Sequence, residues 1–581
     1  MFSVLKNLGW FFRKEKKRYT IGLVLLIIAG IAELAPPRLL GNAIDEIVNG
    51  SITWSSLTQY ILMIIGMLLF IYLITYIWMR ELFGGSNLVE RLLRSRFMDH
   101  LLRMTPPFFE RNRTGDLMAR ATNDLRSVAQ TAGFGILTLA DSTVFLAVIF
   151  IAMSTVINLK LTLAAIIPLP FIALAMSIYG KVIHQRYTVA QDAFGDMNDQ
   201  VLESVAGIRV IRAYVQERND EKRFEEVTDD VYKKNLAVAR VDAYFEPTIR
   251  LCVGISYAIG LAYGIYLVFH NELTLGELVS FNMYLGMMIW PMFAIGELIN
   301  IMQRGGASLD RVNEILFTKP DVEDQPQPAE VQQPEGIEFK DVTFRYPTSS
   351  TDNLKHIHLT LRPGETLGVV GRTGSGKSTL LKQLLHEYPL GTGEILISGK
   401  PLQNIAADQL HSWIGYVPQE QILFSKTVRQ NIQFGLNEAS DERIMEAIRT
   451  AAFDQDLQTL SDGLDTLVGE KGVALSGGQK QRVSLSRAFI ADPEILILDD
   501  ALSAVDARTE ARIIENIRSQ RSGKTTLIST HRLSAIEHAD HIIVLEKGQI
   551  TEQGTHEELL AQNGWYREQY DRQQVESNLT D

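Results

Sequence analysis

The sequence predicts an α-helical membrane domain, with six transmembrane helices that extend far into the cytoplasm, followed by an α/β domain with a phosphate-binding loop. Apolar runs long enough to cross a bilayer as helices are confined to the region before residue 303. After residue 336, short β-rich runs alternate with helical patterns, as they do around a mainly parallel sheet. One chain therefore joins a membrane half to a soluble half.

The composition agrees with this division. A chain of 581 residues exceeds what one hydrophobic core commonly supports, so two or more domains are expected. Hydrophobic residues make up 46% of the chain although 21% are charged. The net charge of -12 argues against a nucleic-acid partner, because no basic surplus neutralises phosphates. The single cysteine, Cys252, excludes an intrachain disulfide and a cysteine-based zinc site.

Residues 1–18 predict an elbow helix at the membrane interface. Apolar residues come first, and five basic residues follow between Arg13 and Arg18. No small-residue cleavage site follows, which argues against a secretory signal peptide. The pattern is typical of an amphipathic helix that lies on the inner membrane face and leads into a span.

Six apolar segments within residues 19–316 have the length of membrane spans. They are Tyr19–Ile44, Leu57–Met79, Phe134–Ile157, Leu161–Tyr179, Thr248–Phe269 and Leu278–Met302. The two long connections are rich in Lys and Arg and the short ones are nearly free of them, so both termini are expected in the cytoplasm. The spacing of apolar residues in the long connections predicts helices, with breaks expected at Pro106–Leu125 and Ser204–Glu217.

Three acidic residues lie within or beside these spans: Glu33, Asp141 and Glu297. Carboxylates inside a membrane are costly and usually face a bundle interior or water. Glu33 and Asp141 predict either a polar cavity that attracts cationic amphipathic molecules or hydrogen bonds between helices. The sequence does not separate these alternatives, whereas Glu297 fits the second one better.

Residues 317–336 are rich in Pro, Glu, Asp and Gln and predict a linker. The α/β domain is expected over residues 337–573, with a tail at 574–581. Within it, Gly371–Ser378 reads GRTGSGKS between an apolar strand and a helix, which is the phosphate-loop pattern in its required context. The residues expected to bind a nucleotide here are Gly371, Arg372, Thr373, Gly374, Ser375, Gly376, Lys377, Ser378 and Thr379.

The roles within this loop follow from phosphate chemistry. Glycines let backbone N–H groups surround phosphates at a helix N-terminus. Lys377 is expected to reach the β- and γ-phosphates, and Ser378 to ligate Mg²⁺. Asp499, at the end of the apolar run ILILD, is a second expected Mg²⁺ ligand.

Further stretches are expected to complete the site. Gln419 follows an apolar strand and can reach Mg²⁺ and the attacking water, and His531 is suited to contact the γ-phosphate. Tyr346 is expected to stack on adenine, with packing on the core as the alternative. The run LSGGQ opens another helix and predicts a second anion site, although a helix cap is the alternative for its serine. The residues of this second site are Ser476, Gly477, Gly478 and Gln479.

These motifs occur in the order and spacing of ABC-transporter ATPases, and FFERNRTGDLMAR in the first half resembles the membrane domain of ABC exporters. The resemblance covers essentially the whole chain and is closest to the BmrC-type subunit of heterodimeric bacterial multidrug exporters. It implies ATP and Mg²⁺ as cofactors, a location in the bacterial cytoplasmic membrane, and coupling helices near Arg111–Ala119 and Gly207–Tyr214. It also implies a dimer in which each ATP lies between the phosphate loop of one subunit and the LSGGQ of the other.

One position departs from the family pattern. These ATPases typically have, after the strand aspartate, a glutamate that orients and deprotonates the attacking water, whereas this chain has Asp500. A catalytic group misplaced by about 1 Å can cost around 10²-fold in rate. We therefore expect a heterodimeric exporter of amphipathic drugs in which this chain carries the weak site and completes its partner's site. A lipid or lipopeptide exporter, possibly a homodimer, is the alternative.

Overall fold

The computed structural model describes residues 3–436, 438–469, 472 and 474–580, except for the side chains at positions 173, 177 and 576–580. The chain forms two compact units. We call Met1–Leu102 with Thr114–Thr318 the helical unit, and Arg103–Arg113 with Lys319–Asp581 the α/β unit.

The helical unit contains no strand among its described residues. Its longest helices are Lys16–Ala32, Ala35–Val48, Trp54–Leu102, Leu169–Ala206, Glu217–Asp242, Phe245–Phe269, Leu275–Met287 and Ile289–Phe317. The shorter helices are Ser3–Asn7, Gly9–Lys14, Thr114–Ala119, Leu125–Ala132, Phe134–Ala140, Leu146–Ala152, Leu159–Ile166 and Ile208–Ala213, with π-helical turns at Arg120–Asp124, Asp141–Phe145 and Met153–Asn158.

The expected elbow region is helical and amphipathic. Val4, Leu8 and Phe11 are buried, whereas the basic residues Arg13 and Lys14 are exposed. The spacing of four and three residues places the three apolar side chains on one helical face. One face therefore packs against the protein while the charges stay in solvent.

Five helical stretches among the described residues are long and apolar enough to cross a membrane: Lys16–Val48, Trp54–Leu102, Thr114–Ile166, Glu217–Phe269 and Leu275–Phe317. Each covers one predicted span, which leaves Leu161–Tyr179. There the helix breaks at Pro168, between Leu159–Ile166 and Leu169–Ala206. Proline lacks the backbone N–H of a helix interior and clashes with the preceding turn, so this apolar run is divided between two helices.

The α/β unit contains two sheets. The strands are β1 Ile337–Phe344, β2 Leu354–Leu361, β3 Thr366–Gly371, β4 Thr392–Ile397, β5 Lys400–Pro401, β6 Ile414–Val417, β7 Ile495–Asp499, β8 Thr525–Ser529, β9 His541–Glu546 and β10 Gln549–Gly554. The four-stranded sheet has the order β2-β1-β4-β5, and the six-stranded sheet has the order β10-β9-β3-β8-β7-β6. Strands β6, β7, β8, β3 and β9 run parallel, so their carboxyl ends share one edge.

The described part of this unit also contains helices. They are Pro106–Arg111, Lys377–Leu384, Ala407–Trp413, Val428–Gln433, Asp441–Thr450, Asp454–Thr459, Gly477–Phe489, Ala507–Gln520, His556–Ala561 and Trp565–Thr580, with single 3₁₀ turns at Leu402–Asn404, Gly463–Asp465 and Leu533–Ala535. Strands β7 and β8 are buried at every residue, as continuous apolar runs in a parallel sheet should be.

The predicted linker, residues 317–336, lies along the α/β unit for much of its length. Val331 is buried in the core, and its carbonyl oxygen accepts a hydrogen bond from Gln409 at 2.6 Å. The Asp324 carboxylate accepts a hydrogen bond from the backbone N–H of Ala407 at 2.9 Å. A segment poor in apolar residues is thus attached mainly through polar contacts.

Candidate functional site

The carboxyl edge of the six-stranded sheet carries an open pocket. Strand β3 leads into the phosphate loop, β7 ends at Asp499, β8 ends at Ser529, and Gln419 follows β6. The pocket is lined by Asn353, Thr373, Gly374, Ser375, Gly376, Lys377, Ser378, Thr379, Gln419, Asp499, Asp500, Ser529 and His531. The structure thus brings together Thr373–Thr379 of the phosphate loop, the strand aspartates, the glutamine and the histidine, whereas Gly371 and Arg372 do not line the pocket. Asn353 and Ser529 are additions that the sequence reasoning missed.

The backbone of the phosphate loop requires glycine at two positions. Gly376 has a φ of +108°, and a Cβ there would lie 2.9 Å from the carbonyl oxygen of Asn353. A Cβ on Gly371, whose φ is +149°, would lie 2.2 Å from the carbonyl oxygen of Leu545. Neither the left-handed conformation nor the close approach accommodates a side chain. These glycines allow the loop to curl around the position of a phosphate chain.

Lys377 is buried and points back into the loop. Its Nζ donates hydrogen bonds to the carbonyl oxygens of Gly371 at 2.9 Å and Arg372 at 3.3 Å. Burial lowers the pKa of Lys377, and the negative charges of Asp500 and Asp499 oppose this shift. The ammonium group is therefore incompletely solvated and faces acidic neighbours, a suitable arrangement for binding polyphosphate.

Two further hydroxyl groups in the pocket support a fit to a nucleotide. The Oγ atoms of Ser375 and Ser529 are buried and have no hydrogen-bond partner among the described residues. Buried polar groups are normally paired, so such atoms at a pocket wall indicate a missing polar ligand. Ser529 could have been found from the sequence, because it ends the strand that pairs with Asp499.

The predicted oxygen ligands for Mg²⁺ are also adjacent. Ser378 Oγ donates a 2.8 Å hydrogen bond to Asp499 Oδ1, and both residues line the pocket with Gln419. The described residues contain no group of three or more His, Cys, Asp or Glu side chains that could hold a metal by themselves. In proteins, Mg²⁺ is commonly bound by one or two protein oxygens together with waters and substrate phosphates. The oxygens of Ser378, Asp499 and Gln419 are suitable donors for such a site.

Asp500 is held in place by its backbone. Its φ is +48°, a left-handed conformation that Asp tolerates better than most residues. Its N–H donates to the carbonyl oxygen of Ser529 at 2.9 Å, and its own carbonyl accepts from Ser503 Oγ at 3.0 Å and from Gln481 Nε2 at 3.5 Å. A backbone movement that lengthens the reach of this carboxylate would break these contacts.

The charges around Asp500 set its proton affinity. Burial raises the pKa of Asp500, and the nearby His531 and Lys377 oppose this shift. Burial also lowers the pKa of His531, and Lys377 lowers it further. His531 therefore favours the neutral imidazole at neutral pH, a form that retains one N–H donor and one ring nitrogen acceptor.

Tyr346 packs on the core of the α/β unit. Its ring makes edge contacts with Phe344 and Tyr388, at centroid distances of 4.9 and 5.0 Å. Its hydroxyl group lies 3.3 Å from Thr379 Oγ1, and the ring does not line the pocket described above. Stacking on adenine stays a prediction.

The LSGGQ run lies outside the phosphate-loop pocket. Ser476 caps the helix Gly477–Phe489: its Oγ accepts from the N–H of Gln479 at 3.3 Å, and Gln479 Oε1 accepts from the N–H of Ser476 at 3.0 Å. The alternative interpretation of this serine as a helix cap therefore matches the structure. Gly477 is exposed with open space at its Cβ position, and the second anion site stays a prediction.

The helix Pro106–Arg111 contacts the α/β unit to which it belongs. Tyr388 is 2% exposed, and its hydroxyl group donates a 2.5 Å hydrogen bond to Glu110. Arg111, at the end of the same helix, forms an ion pair with Asp321. The Tyr388 ring in turn contacts Tyr346, so a continuous set of contacts runs from this helix towards the phosphate loop.

A second cavity, of about 240 Å³, lies in the helical unit. Both Glu33 and Asp141 line it, together with Trp78, Phe145, Trp290 and apolar residues. Trp290 Nε1 donates a 2.9 Å hydrogen bond to Asp141, and the buried Trp78 Nε1 has no partner among the described residues. Glu297 is exposed and does not line this cavity.

Comparisons with known proteins identify the same type of protein in both halves of the chain. The family model described as "ABC transporter transmembrane region" matches residues 19–292, and the model described as "ABC transporter" matches residues 354–503. A solved structure described as a bacterial Atm1-family ABC exporter with ATP bound is 25% identical, with a TM-score of 0.80, and covers 96% of this chain and 99% of its own.

Curated relatives match over nearly the full length. The probable multidrug resistance ABC transporter ATP-binding/permease protein YheI of Bacillus subtilis is 61% identical over 99% of this chain and 98% of its own length. The multidrug resistance-like ATP-binding protein MdlA of Escherichia coli is 41% identical over 99% of this chain and 97% of its own length. The ATP-dependent lipid A-core flippase of Syntrophus aciditrophicus is 32% identical over 97% of this chain and 93% of its own length.

Proposed function

Because this chain belongs to the ABC transporter family, as an exporter half-transporter with fused membrane and ATP-hydrolysing domains, we propose that it exports amphipathic drugs across the bacterial cytoplasmic membrane. The single observation that carries this proposal is the apolar cavity among the membrane helices that contains two carboxylates, Glu33 and Asp141. Aromatic and apolar walls suit a hydrophobic body, and carboxylates suit a cationic group.

The cavity also contains features that favour small molecules of mixed polarity. Trp78 supplies an N–H donor that has no partner among the described residues, whereas Asp141 is already bonded to Trp290. Glu33 has no hydrogen bond among the described side chains and is the freer of the two carboxylates. We therefore assign Glu33 the main attraction for cations.

We also propose that both termini and the ATP-hydrolysing domain lie in the cytoplasm, because the long connections between the spans are rich in basic residues.

In the α/β unit, we assign roles in ATP binding and hydrolysis to the main residues of the pocket. Lys377 and the N–H groups of the phosphate loop bind the β- and γ-phosphates of ATP, and Ser378, Asp499 and Gln419 hold Mg²⁺, which neutralises phosphate charge when bound. Asp500 takes the position of the residue that orients and deprotonates the attacking water, but its shorter side chain makes this the weak site, and His531 contacts the γ-phosphate. Ser476–Gln479 lie outside this pocket, so we propose that they complete the site of a second half-transporter.

The nature of the transported molecule is tested by ATPase activity in liposomes of defined lipid composition. We expect amphipathic cations to stimulate hydrolysis by the assembled transporter more than added lipids do. Stimulation by lipids without any effect of drugs would contradict drug export. It would support lipid export instead, and one relative is named as a lipid A-core flippase.

Neutralising the cavity carboxylates should change substrate preference. We expect Glu33→Gln to reduce the transport of cationic substrates about tenfold and that of neutral ones by less than twofold, since loss of one ionic contact costs about 1.5–3 kcal/mol. Asp141→Asn should have a smaller effect because its carboxylate is already bonded to Trp290. Efflux from inside-out vesicles measures both. Glu297→Gln is the matched control, and equal losses for both substrate types would indicate a packing role for Glu33.

The contact between Tyr388 and Glu110 should couple ATP hydrolysis to the membrane domain. We expect Tyr388→Phe, which removes the hydroxyl group with little change in volume, to reduce substrate-stimulated ATPase activity several-fold while ATP affinity stays unchanged. Glu110→Gln keeps an oxygen acceptor for Tyr388 and serves as the matched control. If Tyr388→Phe responds to substrate as the wild type does, the contact has no part in coupling.

A further inference from the structure

The helix Trp565–Thr580, close to the chain terminus, contacts the loop that carries His531. Gln573 Nε2 donates a 2.8 Å hydrogen bond to the carbonyl oxygen of His531. Gln573 Oε1 accepts a 2.9 Å hydrogen bond from the N–H of Leu533. One side-chain amide thus binds the backbone on both sides of Arg532.

This helix is anchored firmly enough to act as a support. At its start, the N–H groups of Trp565 and Tyr566 donate to the carboxylate of Glu552 at 2.6 and 3.1 Å. Tyr566 is fully buried in the core, and Tyr570 packs against the same core. Tyr566, Tyr570 and Gln573 follow at spacings of four and three residues, so they share one helical face.

The same loop is held from a second direction by the side chain of Arg532. Its guanidinium donates to the carbonyl oxygens of Val505 at 2.9 Å and Ser503 at 3.4 Å, and to Glu510 at 2.6 Å. Glu510 is buried and also accepts a 3.0 Å hydrogen bond from Ser534. The backbone from His531 to Ser534 therefore lies between the terminal helix and the turn that follows Asp500.

The imidazole of His531 lines the phosphate-loop pocket but makes no hydrogen bond among the described residues. Its position consequently depends on the backbone that carries it. We propose that Gln573 is a positioning residue, which holds the His531 backbone so that the imidazole faces the γ-phosphate position. This inference rests on the role given to His531 in the proposed function, and it assigns the terminal helix a part in ATP turnover.

The experiment uses the full-length chain in the purified, assembled transporter, with the matching glutamate of the proposed second subunit replaced by glutamine. The remaining turnover then reports the site that contains His531. Gln573→Leu removes both hydrogen bonds, and Gln573→Glu retains only the acceptor for Leu533. Arg572→Leu is the matched control, since Arg572 is exposed on the same turn and its contact is a 3.8 Å ion pair with Glu568. The readouts are kcat and KM for ATP, nucleotide affinity, and hydrogen–deuterium exchange at the Leu533 amide, each also measured in a His531→Ala background.

We expect Gln573→Leu to lower kcat about tenfold with KM and nucleotide affinity within about twofold, because displacement of a catalytic group affects turnover more than binding. Exchange at Leu533 should become faster, and Gln573→Glu should fall between Gln573→Leu and the wild type. In the His531→Ala background, Gln573→Leu should cause no further loss.

The proposal would be overturned by an unchanged kcat in Gln573→Leu, by additive losses in the double variant, or by a His531→Ala variant that turns over ATP like the wild type. A fall in nucleotide affinity equal to the fall in kcat would also overturn it, since that indicates general damage to the fold. None of these readouts involves the transported molecule. A failure of the drug-export proposal would therefore leave this test intact.

Discussion

Lys377→Ala is expected to abolish ATP binding by the pocket of this chain. Lys377 is buried between the phosphate loop and two carboxylates, Asp499 and Asp500, whose charges its ammonium group offsets. Without it, triphosphate would approach two acidic side chains with no compensating cation from the protein. Losing one partner of such a charge pair in a desolvated site commonly costs about 3–5 kcal/mol, which is more than a hundredfold in affinity.

The measurement is equilibrium binding of a fluorescent ATP analogue to this site alone, with the phosphate-loop lysine of the proposed second subunit also replaced. Lys382→Ala is the matched control, because Lys382 lies on the same helix, Lys377–Leu384, and does not line the pocket. A variant with Lys377→Ala that binds the analogue within about threefold of the wild type would contradict the assigned role. Thermal unfolding separates a loss of binding from a loss of folding.

The phosphate loop was predictable from the sequence because its chemistry is local. A strand, eight residues and a helix contain both the glycines that shape the loop and the lysine that fills it. The parallel order of the strands then brings Asp499, His531 and Gln419 to the same edge, and strands followed by polar residues indicate this arrangement. The comparisons confirm the ABC exporter family and the overall fold, whereas the BmrC-type subunit stays a prediction.

Other features depend on contacts between residues that are far apart in the sequence, and no local sequence pattern predicts such contacts. Gln573 and Leu533 are 40 residues apart, and Tyr388 and Glu110 are 278 residues apart. The apolar run Leu161–Tyr179 predicted one span, but the helix break at Pro168 divides it. The LSGGQ run supported two predictions: its serine forms the cap of its own helix, and the second anion site at its glycines stays a prediction.

In the proposed function, Asp500 limits ATP turnover at this chain's own site. If it is a shortened base in a site retained mainly for binding, Asp500→Asn should change the ATPase activity of the assembled transporter by less than about twofold. Asn is similar in size to Asp and also tolerates the left-handed conformation found here, so the substitution should not disturb the fold. Replacement of the matching glutamate in the proposed second subunit by glutamine should nearly stop hydrolysis.

The backbone contacts of Asp500 favour this outcome over one in which a local shift restores its reach. Its N–H is bonded to Ser529 on the neighbouring strand, and its carbonyl oxygen is bonded to Ser503 and Gln481. These contacts fix the backbone from which the side chain of Asp500 extends. Compared with glutamate, Asp500 lacks one methylene, so its carboxylate reaches about 1 Å less far. A displacement of this size corresponds to a loss of about 10²-fold in rate. Asp500→Glu restores that methylene and should raise turnover at this site.

The measurement is steady-state ATPase activity of the reconstituted pair, with each catalytic acid replaced separately. A homodimer with two slow sites predicts a different pattern, because Asp500→Asn would then remove the base from both sites and reduce activity about a hundredfold. If Asp500→Asn is as damaging in the pair as the substitution in the second subunit, Asp500 is a working base. The two sites would then be equivalent in turnover, and the asymmetric arrangement would be wrong.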